Sequence, residues 1–348
     1  MNTGKWRILA VLLAVMTLAS PEVTTEQGST PLPIMPQRVE EKPDILYFVG
    51  DLYSRRTVAI TNEVAELMAL VLRADPQHTS GVLMGDICND EEDDGLPICY
   101  EKIEKTAWGP LLRELYSLMG NHDNTPVKKT ELLAFYYNYL FNTGNRGEGW
   151  QVFNRANGKW AIFLLNTEVM WTDASGQLNP TGKRQMDWYE EELEARSKNQ
   201  CILTAYHRPM YSSGEFASPA WVWRIYRRSI KHGVDFVVTA HEHMFIKFPA
   251  LWPINDRTAV VNKSYGIEGV GVGTGGAGFH TDPLVDPRFQ KRKWGEEIVA
   301  NKAGITEIKL YKDRLTWEFK PVPSQRDPLV TYPSGIVFCH NNPPGFVE

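Results

Sequence analysis

The sequence offers little that would tie it to a thiolate metal site, a nucleic acid or a stable membrane span. Among its 348 residues only four are cysteines, at 88, 99, 201 and 339, and no Cys-x-x-Cys pair occurs, which argues against a thiol-bound metal. Positive charge is not in excess. Lys and Arg total 37 against 42 Asp and Glu, for a net charge of -5, so no basic surface for a nucleic acid is evident. No apolar run reaches the roughly 18 residues that a bilayer requires. Gly-x-Ser-x-Gly is absent, which disfavours a serine hydrolase. The Gly-rich run GVGTGGAG at 271–278 lacks the Gly-Lys-Ser/Thr ending of a phosphate loop, and HEHMF at 241–245 has Phe245 where a zincin needs its second His. There is no internal repeat.

The N-terminus does carry a signal. Lys5 and Arg7 precede an uncharged apolar stretch, Ile8 to Ala19, that ends among small residues. That is the composition of a secretory signal peptide over 1–20, and it is preferred to a membrane anchor because the run is too short to span. The expectation is a secreted or periplasmic protein with no stable membrane span once the signal is removed. Residues 21–43, rich in Pro, Ser, Thr and Glu, read as an extended linker. Export makes the cysteines candidates for disulfides. Cys88 and Cys99 bracket an acidic run, NDEEDDG, and are the preferred pair; Cys201 and Cys339 remain, with three connectivities formally open. The acidic run itself reads as a solvated loop.

From Asp44 short apolar runs alternate with helical patterns. Strands are expected at 45–49, 81–84 and 115–119, with helices near 58–73 and 101–113, then a helix near 128–140. GWQVF and KWAIFLL follow as strands, KRQMDWYEEELEARS as a helix, CILTAY as a strand, a Trp-rich helix near 219–231, and VDFVVTA as a strand. The last third is β-rich and contains a hairpin about Lys312-Asp313. The alternation predicts α/β layering in one domain over 44–320, with a Pro-rich tail at 321–348.

Five predicted strands end in a metal-ligating type of residue: Asp51, Asp86, Asn121, His207 and His241, with His243 two positions beyond. In open α/β sheets functional groups gather at the carboxyl ends of strands. Carboxylate, amide oxygen and imidazole together suit first-row metals rather than Mg or Ca. Six donors exceed what one tetrahedral ion uses, so two ions sharing a carboxylate are the economical reading, and paired metals clamp both oxygens of an in-line displacement. His280, just past the Gly-rich run, is a lesser candidate for the pocket wall.

These residues resemble a known family. VGD at 49–51, MGD at 84–86, GNHD at 120–123, the His of AYHRP and AHEH at 240–243 are similar, in order and spacing, to the motifs of the calcineurin-like metallophosphoesterases, in particular the secreted purple-acid-phosphatase-like branch. TAWGPL and GVGTGGAG also look like that branch. The resemblance implies a four-layer α/β/β/α sandwich of two mixed sheets flanked by helices. It implies that Asp86 bridges two ions (Fe, Zn or Mn), that Asp51 and His243 hold the first, and that Asn121, His207 and His241 hold the second. His122 would face the phosphate and protonate the leaving oxygen, with Asp123 orienting its ring. A metal-bound hydroxide would attack phosphorus in line. The sequence departs from the family at the first ion. Tyr53 stands where most members have the His of Asp-x-His, and Asn89 where purple acid phosphatases have a Tyr. Were residues 51–53 extended, Tyr53 would share a face with Asp51 and could replace that ligand; the reading preferred to this is that Tyr53 packs beside the site while water or the Asn89 carbonyl completes the shell. The function implied is a metal-dependent phosphatase acting on small phosphomonoesters. A phosphodiesterase or nucleotidase is the alternative within the class, and a non-catalytic binding protein with a depleted site is the rival outside it.

Overall fold

A computed structural model describes residues 42–89, 96–124, 136–214, 216, 219–255, 258–280 and 294–339. The expected signal peptide, nearly all of the linker and most of the acidic run lie outside the described residues, as does most of the helix expected near 128–140. Chain order runs β1 (Asp44–Val49), α1 (Val58–Ala74), β2 (Thr79–Leu83), α2 (Leu96–Glu104), β3 (Tyr116–Ser117), β4 (Gln151–Arg155), β5 (Trp160–Leu165), α3 (Pro180–Arg196), β6 (Cys201–Tyr206), α4 (Trp223–Lys231) and β7 (Phe236–Thr239). It continues with β8 (Phe245–Pro253), β9 (Ala259–Val261), β10 (Ile267–Val272), β11 (Glu297–Val299), β12 (Gly304–Leu310), β13 (Arg314–Pro321) and β14 (Ser334–Phe338).

Two mixed sheets result. One has the order β14-β13-β12-β1-β2-β3, and the other β11-β8-β10-β7-β6-β5-β4 with β9 paired to β8. Parallel pairing of β1 with β2, and of β5, β6, β7 and β10 in succession, puts the crossover helices on the outer faces. Strand alternation then sorts the side chains into layers. Leu46 and Phe48 of β1 meet Ile162, Leu164, Leu203 and Val238 between the sheets. Tyr47 and Val49 turn the other way, onto Val64, Ala65 and Met68 of α1. On the second sheet Ala161, Phe163 and Leu165 pack against Met186, Tyr189 and Leu193 of α3 and Ile225 and Ile230 of α4. That is the expected four-layer sandwich. β5 and β6, buried along their whole length, read as continuous apolar runs because both faces are covered.

Local chemistry sets the helix ends. Asn179 caps α3 by accepting hydrogen bonds from Thr181 N at 2.9 Å and Gly182 N at 3.1 Å, and Pro180 takes the first helical position. The buried residues of α3 (Gly182, Gln185, Met186, Tyr189, Leu193) recur at three- and four-residue spacing. Two elements differ from expectation. The helix near 101–113 starts earlier and ends at Glu104, after which the chain turns through 105–114. The stretch beyond 320 is less of a tail than expected: Ser334–Phe338 pairs along β13, and Cys339 is bridged to Cys201. Cys88 and Cys99 form the other disulfide, and no cysteine is free.

Candidate metal centre

Both sheets deliver their strand ends to one place. Asp51 follows β1, Asp86 follows β2, Asn121 lies beyond β3, His207 follows β6, and His241 and His243 follow β7. Asp51, Asp86 and His241 have φ of 60°, 51° and 73°. Non-glycine residues rarely adopt this left-handed conformation, which costs about 1–3 kcal/mol each and tends to mark functional positions. The fold accepts it here because it swings the side chain off the strand axis into the crevice. Close backbone approach is enforced at two glycines. A Cβ on Gly120 would lie 2.1 Å from Asp86 Oδ1, and one on Gly273, within the Gly-rich run, 2.7 Å from Asp51 Oδ2. The run is therefore tight backbone against the site.

The donors converge. Asp86, His207 and His241 present ligand atoms all within 4.8 Å of one another. His207 is fully buried, and its Nδ1–H donates to the Met84 carbonyl at 2.8 Å, which leaves the Nε2 lone pair facing inward. Nε2 lies 3.2 Å from Asp86 Oδ2 and 3.1 Å from Asn121 Oδ1. Three lone-pair atoms at such distances need a cation among them. In the protein without metal a proton serves: burial pushes the His207 pKa down, but the Asp86 carboxylate outweighs it and raises the value to about 10. Burial likewise opposes the charge on Asp86, yet His207 holds it well below the usual carboxylate range. Burial, with the neighbouring His207 and Arg208 charges, keeps His241 neutral, as a ligand must be.

On the other side His243 Nε2 lies 3.3 Å from Asp51 Oδ1, a buried atom with no well-aligned hydrogen bond, while Asp51 Oδ2 accepts from His241 N at 3.0 Å. An orphaned carboxylate oxygen beside an imidazole, and a lone-pair triad around His207, both fit a first-row metal.

Asp123 has a different part from the one expected. Its Oδ1 accepts from Ile87 N at 3.0 Å and Tyr100 Oη at 2.9 Å, and its Oδ2 from Gly120 N at 3.0 Å. Asp123 thus pins the 120–123 turn to the loop after Asp86 and acts on His122 through the backbone. Burial first, and then the Asp86 charge, raises its pKa to about 7. His122 donates its N–H to Asp86 Oδ1 at 2.8 Å, and its ring, with Nε2 3.9 Å from Asp86 Oδ2, remains partly exposed.

Tyr53 packs rather than lining the cavity, which agrees with the preferred reading of it. It is buried in the apolar cluster beneath α1 with Leu52, Ile87 and Cys88. The positive φ of Asp51 is the physical reason, since the chain is not extended there and the alternation that would have aligned residues 51 and 53 fails. Asn89 donates Nδ2–H to the Asp86 carbonyl at 2.9 Å and keeps a buried Oδ1 with no hydrogen-bond partner.

A cavity of about 290 Å³ opens on the cluster, lined by Asp86, Asn121, His122, Arg208, Phe216, His241, His243 and His280. Sequence reasoning had not singled out Arg208 or Phe216. Arg208 follows a ligand at a strand end, which was a usable signal; its Nε donates to Glu168 Oε1 at 2.8 Å, and its Nη1 approaches His241 Nε2 at 3.4 Å. Glu168 is set by Asn166, whose backbone N–H and C=O are both bonded by the Gln185 amide of α3. Phe216 had no signal.

Such a constellation, on this fold, defines a metal-site phosphoesterase scaffold. The chain belongs to the calcineurin-like phosphoesterase family, whose model matches residues 30–245. Among solved structures it is similar to the purple acid phosphatase PPD1 from yellow lupin (Lupinus luteus) seeds, at 16% identity and TM-score 0.61, covering 85% of this chain and 54% of that one. It is also similar to GAP50, the anchor in the inner membrane complex of Plasmodium, at 11% identity and TM-score 0.58, covering 87% and 90%. PhoD follows at 13% identity and TM-score 0.54, covering 85% and 68%. At these identities the likeness is one of fold, and the chain spans about half the length of the lupin enzyme. No curated protein sequence matches it significantly.

Proposed function

We propose that this protein is an exported metal-dependent phosphatase that hydrolyses small phosphomonoesters at a dinuclear centre. The observation that carries the reading is the convergence of His207 Nε2, Asp86 Oδ2 and Asn121 Oδ1 beside the Asp51–His243 pair, with His122 and Arg208 facing the same cavity. Asp86 would be shared between two ions, with Asp51 and His243 on one side and Asn121, His207 and His241 on the other. When bound, the ions supply Lewis acidity, acidifying water and drawing charge from the phosphoryl oxygens.

The chain's own residues do the rest. Arg208 is held by Glu168, so its guanidinium is placed to bind phosphoryl oxygens through fixed N–H groups. His122, anchored through its backbone N–H to Asp86 but with an accessible ring, is placed to give a proton to the leaving oxygen. Asp123 keeps the turn bearing His122 in register with the Asp86 loop. Two disulfides and no free thiol agree with an oxidising compartment, and the N-terminal composition supports export. Among the described residues no helix is long and apolar enough to cross a membrane. Hydrolysis assays on the metal-loaded protein, with a monoester and a diester of the same alcohol, test the reading: faster monoester turnover is expected, and preference for the diester would overturn it.

A further inference from the structure

The cavity has two unlike walls. Asp86, Asn121, His122 and Arg208 make a charged floor, whereas the opposite side is aromatic. There Phe216 leaves 41% of its surface exposed, with its ring centroid 4.9 Å from that of His241 and 5.0 Å from that of His280. His280 in turn stacks on His243, 4.2 Å away and 11° from parallel. A phosphoryl group has no use for an apolar ring; a flat leaving group does.

The wall is built rather than incidental. Glu242, buried between the two ligand histidines, holds it from behind: Phe216 N donates to its Oε1 at 3.0 Å, Ser212 Oγ donates to the same oxygen, and His280 Nδ1 meets its Oε2 at 3.2 Å. One carboxylate therefore fixes the backbone that carries the phenyl ring and the imidazole beside it. Preorganised aromatic rings gain from stacking without paying much side-chain entropy on binding. The cavity, near the small end of the usual range of about 300–1,000 Å³, has room for a phosphoryl group and one ring.

Building on the phosphatase reading, we propose that Phe216 is a specificity-determining residue and that the substrates are phosphomonoesters whose leaving group carries a planar aromatic ring. The ring stacks on Phe216 while the phosphoryl group lies over the charged floor.

Binding separates this from turnover. Phenylphosphonate and methylphosphonate share one head group and are not hydrolysed, so titration calorimetry of both on the metal-loaded protein reads the wall alone. Stacking on an aromatic platform corresponds to roughly a tenfold preference for the phenyl compound. In Phe216→Ala that ratio should fall to within about twofold, and in Phe216→Tyr it should persist. A ratio near one in the wild type, or one unchanged in Phe216→Ala, would overturn the assignment. Phenyl preference lost in Phe216→Ala but with no ester hydrolysed would uphold the wall and sink the phosphatase reading; hydrolysis without phenyl preference would do the reverse.

Discussion

Adding one methyl group at Gly120 should damage the site more than most deletions on the surface. The Cβ of Gly120→Ala would sit 2.1 Å from Asp86 Oδ1 and 2.3 Å from Asp86 N, and the latter is backbone that cannot swing away. The carboxylate cannot simply rotate either, because Oδ1 holds His122 N at 2.8 Å. Overpacking of this kind costs about 1–3 kcal/mol, and loss of a buried hydrogen bond to a charged acceptor about 1.5–3 kcal/mol; since relaxing one relieves part of the other, a loss of roughly 2–5 kcal/mol is expected. Gly271→Ala is the matched control, on β10 of the second sheet, where the new Cβ would come no nearer than 3.5 Å to Ile246 Cβ and 3.6 Å to Phe248 Cε2, both ordinary contacts. Urea unfolding of both variants, with bound metal measured alongside, checks the expectation. A Gly120→Ala protein within about 0.5 kcal/mol of the control and with full metal content would refute the reasoning.

Three further outcomes follow from other parts of the molecule. His122→Ala should keep its metal and lose about 10²- to 10⁴-fold in kcat, most with poor leaving groups, because the ring is placed toward substrate; metal loss measured by elemental analysis would contradict that placement. The Cys201–Cys339 bridge spans a sequence separation of 138 and Cys88–Cys99 one of 11, so chain entropy assigns about 5 and about 3 kcal/mol to them, and the double Ser variant of the first pair should melt lower than that of the second; the opposite order in calorimetry would refute this. Glu307 is buried, which alone would raise its pKa, but Lys309, Lys320 and the Tyr47 hydroxyl hold it below the usual range. A depressed folded value stabilises the protein above the unfolded pKa of about 4.3, an effect lost as pH falls, so Glu307→Gln should flatten the acid limb of stability against pH; an unchanged slope would count against it.

Much of this site was legible in the sequence because the chemistry lies at strand ends, and strand ends are what apolar runs reveal. β6 is a buried, largely apolar run, so the His207 that stops it stands out; of the six strand-end candidates Asp86, Asn121, His241 and His243 line the cavity, while Asp51 and His207 lie beside His243 and Asp86 respectively. What was not legible depends on backbone turns and on contacts between distant segments. That Tyr53 packs is the reading preferred from the sequence, but the positive φ at Asp51 that ends the extended geometry there is announced by no residue type. Asp123 was misread in detail because its partners, Ile87 N and Tyr100 Oη, lie more than twenty residues away in the chain. Phe216 lines the cavity with its backbone N–H bonded to Glu242, a contact between segments that no local pattern shows. The strand at 334–338 hid in a Pro-rich setting, where β13 and the Cys201–Cys339 bridge supply the order that local propensity does not.

The most direct test of the account is the metal stoichiometry of Asp86→Asn beside the wild type, after reconstitution with Fe, Zn or Mn and removal of free ions. Asp86 is the carboxylate proposed to be shared between the two ions, and it lies 3.2 Å from His207 Nε2, so its loss should weaken the site while the fold, judged by circular dichroism, persists. Two ions per wild-type chain, with at least one lost from Asp86→Asn together with phosphatase turnover, is the predicted result. A variant that keeps both ions and near wild-type turnover, or a wild-type protein that takes up no metal, would contradict the two-metal assignment.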